Sequence, residues 1–272
     1  MLSKLKMVLR PETEYSISIN MASAMHGVLM ELIKPDYAEY LHADSMRPYS
    51  QYLSISGEDM IWTVSALSDD AYENIIKVLL SDELDEIHLK RHDLKLRIAS
   101  KEMTQLSEKD LSASFYREDS SRFIKIRFMS PTAFKQSGRY TFYPDLSCIY
   151  GSLMRRMDIV SDKNRMYDED LLEELTRQSE IMRYDLRSVN YHLEGVKIPA
   201  FTGWIMIKVY GAQSLVNYVN MLMRFGEFSG TGIKTSLGMG AMKILKKQEK
   251  VNESKSEDNN SPQSKYKGDG KK

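Results

Sequence analysis

Five histidines, at positions 26, 42, 88, 92 and 192, carry the side chains of this sequence whose ordinary pKa lies near neutral pH. They are therefore the candidates for moving protons. His42 has the clearest company, because Arg47 follows shortly after it and sets a planar, permanent cation beside an acid–base group. His26 follows Met25 in a stretch of helical spacing, where a histidine more commonly packs at the helix edge. His88 and His92 have the spacing of a metal pair, but their segment reads as strand and offers neither a cysteine nor an obvious third ligand. They read as structural or solvated, and no metal is expected. His192 has no partner legible in the sequence.

The second chemical signal is anionic. Five of the 14 glycines fall within residues 226–240, and the run continues to Lys243. Glycine at that density lets backbone N–H groups converge on an anion and lets a phosphate approach without interference from Cβ. Lys234, Thr235 and Ser236 add a cation and two hydroxyls. The run lacks the Gly-Lys-Ser/Thr ending of a P-loop and does not follow a strand, which excludes the usual nucleoside triphosphate site. Upstream, Lys125, Arg127, Lys135 and Arg139 alternate with Phe123, Phe128, Phe134 and Tyr140, the mixture that holds a nucleic acid backbone and stacks on bases. Arg155 and Arg156 follow on the next helical segment as further phosphate contacts.

Composition limits what these groups can serve. The 272 residues hold 38 Lys+Arg and 38 Asp+Glu, a net charge of zero, which argues against an indiscriminate polyanion binder. The charges are segregated, however: residues 57–86 carry nine acids and one base, 117–139 six bases and two acids, and 224–247 five bases and one acid. Local fields decide what a surface attracts. The single cysteine, Cys148, cannot form an internal disulfide, so a reducing, cytoplasmic setting is expected. No apolar run approaches the ~20 residues of a membrane helix, and residues 1–10 lack the apolar core of a signal peptide. The 18 methionines read as core filler, and no cofactor is expected.

The elements that must position these groups follow from periodicity. Leu5-Met7-Leu9 and Tyr15-Ile17-Ile19 read as strand. Residues 21–41 read as helix, broken near Lys34 by Pro35, and 49–56 and 60–67 as two strands about a turn. A helix over 70–80, capped by Ser68 or Asp69, and a strand over 86–98 complete a βαββαβ order. That order is the ferredoxin-like plan, shared with RNA-recognition modules. A second copy is expected from strands at 122–129, 140–142, 181–193, 202–210 and 239–245, with helices at 146–157 and 213–225. The mixed-charge run 158–187 reads as a solvated helix and linker. The fold class is therefore α+β, two tandem ferredoxin-like (RRM-like) domains over 1–117 and 118–246 with a C-terminal glycine-rich loop. From 247 to 272 the chain has almost no apolar residue and is expected to be disordered.

Three phrases carry a resemblance to a known family. Gly-Ile-Lys-Thr-Ser-Leu-Gly-Met-Gly-Ala-Met-Lys at 232–243 resembles the C-terminal glycine-rich loop of the repeat-associated RNA-binding superfamily of CRISPR systems. Phe-Met-Ser-Pro-Thr-Ala-Phe at 128–134 is similar to the opening of the second domain in that superfamily's repeat-processing endoribonuclease. Tyr-Ala-Glu-Tyr-Leu-His at 37–42, running on to Arg-Pro-Tyr-Ser at 47–50, resembles the end of its first helical region. The resemblance implies CRISPR repeat RNA bound across two domains, with a CRISPR effector complex and a second copy of the chain as further partners. It also implies metal-independent cleavage, in which a ribose 2′-hydroxyl attacks the adjacent phosphate and leaves a 2′,3′-cyclic phosphate and a 5′-hydroxyl.

On that chemistry His42 is the first candidate for proton transfer, since it falls where the family often places its catalytic histidine. His26 is the second candidate, and Arg47 would neutralise the phosphorane. Some relatives carry a catalytic tyrosine on the first helix; residues 21–34 contain none, so base and acid stay unassigned. The expected RNA-binding set is Lys125, Arg127, Lys135, Arg139, Arg155 and Arg156, with Gly230, Gly232, Lys234, Thr235, Ser236, Gly238 and Gly240 of the loop. The rival reading is a non-catalytic RNA-binding subunit with the same fold. A general RNA-recognition protein is disfavoured because the RNP1-type aromatic phrase is missing.

Overall fold

The computed structural model describes residues 1–12, 15–43, 47–116, 120–159 and 167–245. Strand β1 (Leu2–Pro11) buries Leu5, Met7 and Leu9 on one face, as alternation requires. The strand expected at 15–19 is absent. Ser18 instead caps a 3-10 turn over Ile19–Met21, accepting from the Asn20 N–H, a local bond that competes with a sheet ladder. Helix α1 (Ala22–Leu32) stops before Pro35, which has no N–H to donate and instead opens α2 (Pro35–Ala43). His42 therefore sits in the last turn of α2. Strands β2 (Tyr49–Ser56) and β3 (Asp59–Ala66) form the expected hairpin. Ser68 caps a helical segment, α3 (residues 69–80), that contains a π turn at Tyr72–Ile76. The single strand expected at 86–98 is a hairpin, β4 (Glu86–Leu89) and β5 (Leu94–Leu106), because Lys90–His92 tighten into a 3-10 turn and Asp93 reverses the chain at φ 46°.

The first sheet runs β2-β3-β1-β5-β4 with antiparallel pairing throughout. Without the short edge strand β4 this is the ferredoxin-like order. After helix α4 (Glu108–Ala113), which the sequence reading missed, come β6 (Phe123–Thr132) and the small hairpin β7 (Phe134–Gln136) and β8 (Arg139–Thr141). Helices α5 (Leu146–Asp158) and α6 (Glu169–Arg177) follow, then the long hairpin β9 (Ser179–Leu193) and β10 (Val196–Val209). Helix α7 (Gln213–Ser229) and β11 (Met242–Ile244) close the fold. The second sheet runs β11-β6-β10-β9, the same strand order as the first. The charged run at 158–187 thus holds α6 and the start of β9 as well as a connection.

One apolar cluster lies between the first sheet and its helices, built around Leu5, Met25, Leu29, Trp62 and Ile75. The second cluster, under α5 and α7, also takes in Leu2, Leu67 and Leu106, so the two sheets are joined through shared core. The expected division between residues 117 and 118, and the expected disordered tail from 247, lie outside the described residues. Among the described residues no helix is long and apolar enough to cross a membrane.

Candidate active site and nucleic-acid interface

The end of α2, the hairpin β7–β8, helix α5 and the glycine-rich loop surround a cleft of about 840 Å³. His42 and Arg47 line it from the first half of the chain, and Lys135, Arg155, Arg156 and Lys234 from the second. No Asp or Glu appears among the described residues that line it. In a chain with equal numbers of acids and bases, five Lys and Arg side chains thus converge on one concave surface. Such a surface attracts a polyanion.

The three proton-transfer and charge candidates lie together, His42 and Arg47 on one wall of this cleft and His26 behind it. The His26 and His42 rings lie edge to face, with centroids 6.3 Å apart. Arg47 donates through Nε to the Leu41 carbonyl at 3.0 Å and through one terminal nitrogen to Ser236 Oγ at 3.1 Å; the same nitrogen lies 3.5 Å from His26 Nε2. His42 is exposed, whereas His26 is half-buried and does not line the cleft. Burial first, then the Arg47 and His42 charges, push the His26 pKa down to about 4, so this ring is neutral at pH 7. The unfolded chain protonates His26 near 6.5, so stability should fall as the pH drops from about 6.5 to about 4. His26→Gln should flatten that part of a pH series of urea melts.

The glycine-rich loop is a packing device as much as a cradle. Gly230, Gly238 and Gly240 are buried and all have positive φ. A Cβ at Gly240 would collide with the Thr231 carbonyl, and one at Gly238 with the Ala22 Cβ of α1. At Gly232 it would meet the Ala133 carbonyl. Gly232 and Gly240 let backbone pass backbone, Gly238 lets α1 and Tyr191 pack against the loop, and of the loop set only Lys234 is exposed. Thr235 and Ser236 are buried beside it. The loop is fastened to the first half of the chain. Gln51 Nε2 donates to both the Ala22 and Ser236 carbonyls, at 3.0 and 2.9 Å, while its Oε1 accepts from Trp62 Nε1.

Other sequence candidates lie apart. Lys125 and Arg127 are on the outer face of β6, away from the cleft, and Lys125 Nζ stands 3.7 Å over the Trp204 ring. Arg139, on β8, is exposed but does not line the cleft. Arg156 is 8% exposed, which corrects the picture of a freely presented phosphate contact. It donates to the Tyr49 carbonyl at 3.3 Å, and its Nε has no partner among the described residues. Burial lowers its pKa to about 10, and it remains a cation at neutral pH. His88 Nε2 lies 3.8 Å from Asp93 and His92 Nδ1 3.3 Å from the Tyr15 hydroxyl, so they serve different neighbours. Among the described residues no group of three or more His, Cys, Asp or Glu could hold a metal. Sequence reasoning missed Gln51, Tyr49 and Tyr167. Gln51 at an inward register of β2 was the available signal, because a buried amide must be satisfied.

Known proteins resemble this chain in sequence and in fold. The family model for the CRISPR-associated endoribonuclease Cas6 matches residues 126–242. A Streptococcus thermophilus endoribonuclease of that name is 35% identical over 231 residues, covering 85% of this chain and 93% of the relative. The chain belongs to the Cas6 family. A Mycobacterium tuberculosis Cas6 is 32% identical over 221 residues, covering 81% of this chain and 70% of that protein. A Cas6 product complex has a TM-score of 0.75 at 21% identity, covering 90% of this chain and 99% of the other. Thermus thermophilus Cas6 has a TM-score of 0.67 at 20% identity, covering 90% and 98%. The tandem ferredoxin-like architecture is therefore the Cas6 architecture, and the chain is an endoribonuclease of CRISPR defence.

Proposed function

We propose that this Cas6-family chain cuts CRISPR repeat RNA in the cleft lined from both halves of the chain, by transesterification without a metal. The observation that carries this reading is the convergence of His42 and five Lys and Arg side chains on a concave surface with no acid among its described lining residues. Solved Cas6 relatives hold a product and a substrate mimic, and another neighbour is an RAMP protein binding different RNA substrates. Those occupants support RNA as the polyanion here.

The reaction requires removal of a proton from the ribose 2′-hydroxyl, protonation of the leaving 5′-oxygen and neutralisation of the phosphorane. His42 is exposed at the cleft mouth and can exchange a proton with either oxygen. Arg47, held by the Leu41 carbonyl and Ser236, presents a fixed planar cation to the phosphorane oxygens. Attack by the 2′-oxygen on phosphorus expels the 5′-oxygen, so the products are a 2′,3′-cyclic phosphate and a 5′-hydroxyl. Lys135, Arg155 and Lys234 hold flanking phosphates and position the strand. Buried Arg156 adds positive potential from beneath.

Incubating the purified chain with candidate repeat RNA in EDTA tests this. One discrete cut with a cyclic phosphate end is expected; binding without cutting would support the non-catalytic reading, and cutting only after divalent ions are restored would overturn the metal-free one. The loop has its own test. Lys234→Ala should weaken repeat binding and reduce the slope of log K against log[salt] by roughly 0.7–0.9, the value of one lost phosphate contact. An unchanged slope would remove Lys234 from the interface.

A further inference from the structure

Tyr49 is the first residue of β2 and is fully buried, yet its hydroxyl lies 2.7 Å from His26 Nδ1. On the other side of that imidazole, Nε2 faces the Arg47 guanidinium at 3.5 Å. A guanidinium nitrogen can only donate. His26 must therefore turn a lone pair toward Arg47, and because the ring is neutral its proton is on Nδ1. Nδ1–H then donates to the Tyr49 oxygen. The opposite tautomer would set two N–H groups against each other across the Arg47 contact.

We propose that Tyr49 is a positioning residue of this active site: its hydroxyl holds the His26 ring in the Nδ1–H tautomer, and the Nε2 lone pair in turn steers the Arg47 guanidinium toward the cleft. The inference rests on the reading of Arg47 as the group that meets the phosphorane. The rest of the geometry agrees with it. Arg47 lies only two residues before Tyr49, and two of its nitrogens are already committed, Nε to Leu41 and Nη1 to Ser236. The His26 contact adds a third tie, at the terminal nitrogen that also meets Ser236, on the side of the guanidinium away from Nε. Tyr49 is itself fixed from the second half of the chain, through its carbonyl, by buried Arg156. Burial raises the phenol pKa, so the hydroxyl does not ionise and stays a neutral acceptor and donor. The chain has no tyrosine on its first helix, and this phenol reaches the histidine of that helix from the neighbouring strand instead.

Two measurements test the proposal. The first uses the wild-type chain with 15N-labelled histidine: two-bond 1H–15N correlations of the His26 ring, assigned by their loss in His26→Gln, should report the proton on Nδ1. A proton on Nε2 overturns the proposal. The second uses Tyr49→Phe, which keeps the ring and its packing. Repeat affinity should stay within about threefold, single-turnover cleavage at saturating protein should fall about tenfold, and the His26 correlations should become those of mixed tautomers. A Tyr49→Phe protein that melts as wild type and cuts at the wild-type rate overturns it. Tyr49→Phe at full rate while Arg47→Ala is inactive would sink the role of Tyr49 alone, whereas an active Arg47→Ala would sink the reading of Arg47 beneath it.

Discussion

His42→Ala should bind repeat RNA within a few-fold of wild type and cut it at least ~10²-fold more slowly in single turnover, the usual scale for losing a general acid or base. The two readouts separate because the imidazole is one exposed group beside five cations of the same cleft. Affinity for a polyanion comes mainly from phosphate contacts. The rate, in contrast, depends on a proton leaving one oxygen and arriving at another while the phosphorane exists. A substrate with hydrogen in place of the 2′-hydroxyl at the cut should not be cleaved by wild type, since the nucleophile is missing. His26→Ala is the internal comparison. Its ring is neutral and set behind Arg47, so its loss should be smaller than that of His42. If His26→Ala is the inactive variant and His42→Ala cuts normally, the roles are reversed. If both keep full rate, proton transfer by histidine is wrong for this chain.

The convergence of His26, His42 and Arg47 could not be seen in the sequence, although each was singled out there. Helix periodicity and Pro35 placed His42 near the end of α2, and the alternation of 49–56 placed the strand after Arg47. Both are local signals. What brings the glycine-rich loop to these residues is a contact between positions nearly 190 apart, the bond from Arg47 to Ser236. No periodicity encodes that. The glycines show the same limit. Their density was legible, and it suggested room for phosphate; the backbone shows that at three of the five, Gly230, Gly232 and Gly240, a Cβ would strike a backbone carbonyl where chain crosses chain. Density in sequence does not distinguish a residue that leaves space from one that fills none because no space exists. Lys125 and Arg127 stand apart from the cleft for a simpler reason: strand alternation fixes that they face away from Ile124 and Ile126, but not where β6 lies relative to the cleft. The hairpin at 86–106 was missed because Lys90–His92 contains no glycine or proline, and Asp93 makes the left-handed turn unaided.

Gly240→Ala should be among the most destabilising single changes in the molecule, and Gly195→Ala provides its measure. Both glycines have positive φ, 74° at Gly240 and 82° at Gly195. A left-handed backbone costs a residue with a Cβ about 1–2 kcal/mol. At Gly195, in the turn between β9 and β10, nothing lies within 4 Å of the new Cβ, so that cost should be the whole effect. At Gly240 the Cβ would strike the Thr231 carbonyl, which is backbone and cannot rotate away. The two strands of the loop are clamped there by Thr231 N–H to the Gly240 carbonyl at 2.8 Å and Gly240 N–H to the Pro131 carbonyl at 3.0 Å. Relieving the collision means breaking one of these bonds or moving the loop, which adds the ~1–3 kcal/mol typical of overpacking. Urea melts should therefore show Gly240→Ala losing at least ~1 kcal/mol more than Gly195→Ala, the lower end of that overpacking range. Because the same loop holds Ser236 against Arg47, the folded fraction of Gly240→Ala should also cut more slowly than wild type. Equal melting losses for the two variants would mean that the loop accommodates the methyl. If repeat affinity then fell only for Gly240→Ala, the glycine would be kept for the approach of RNA and not for the crossing of the chain.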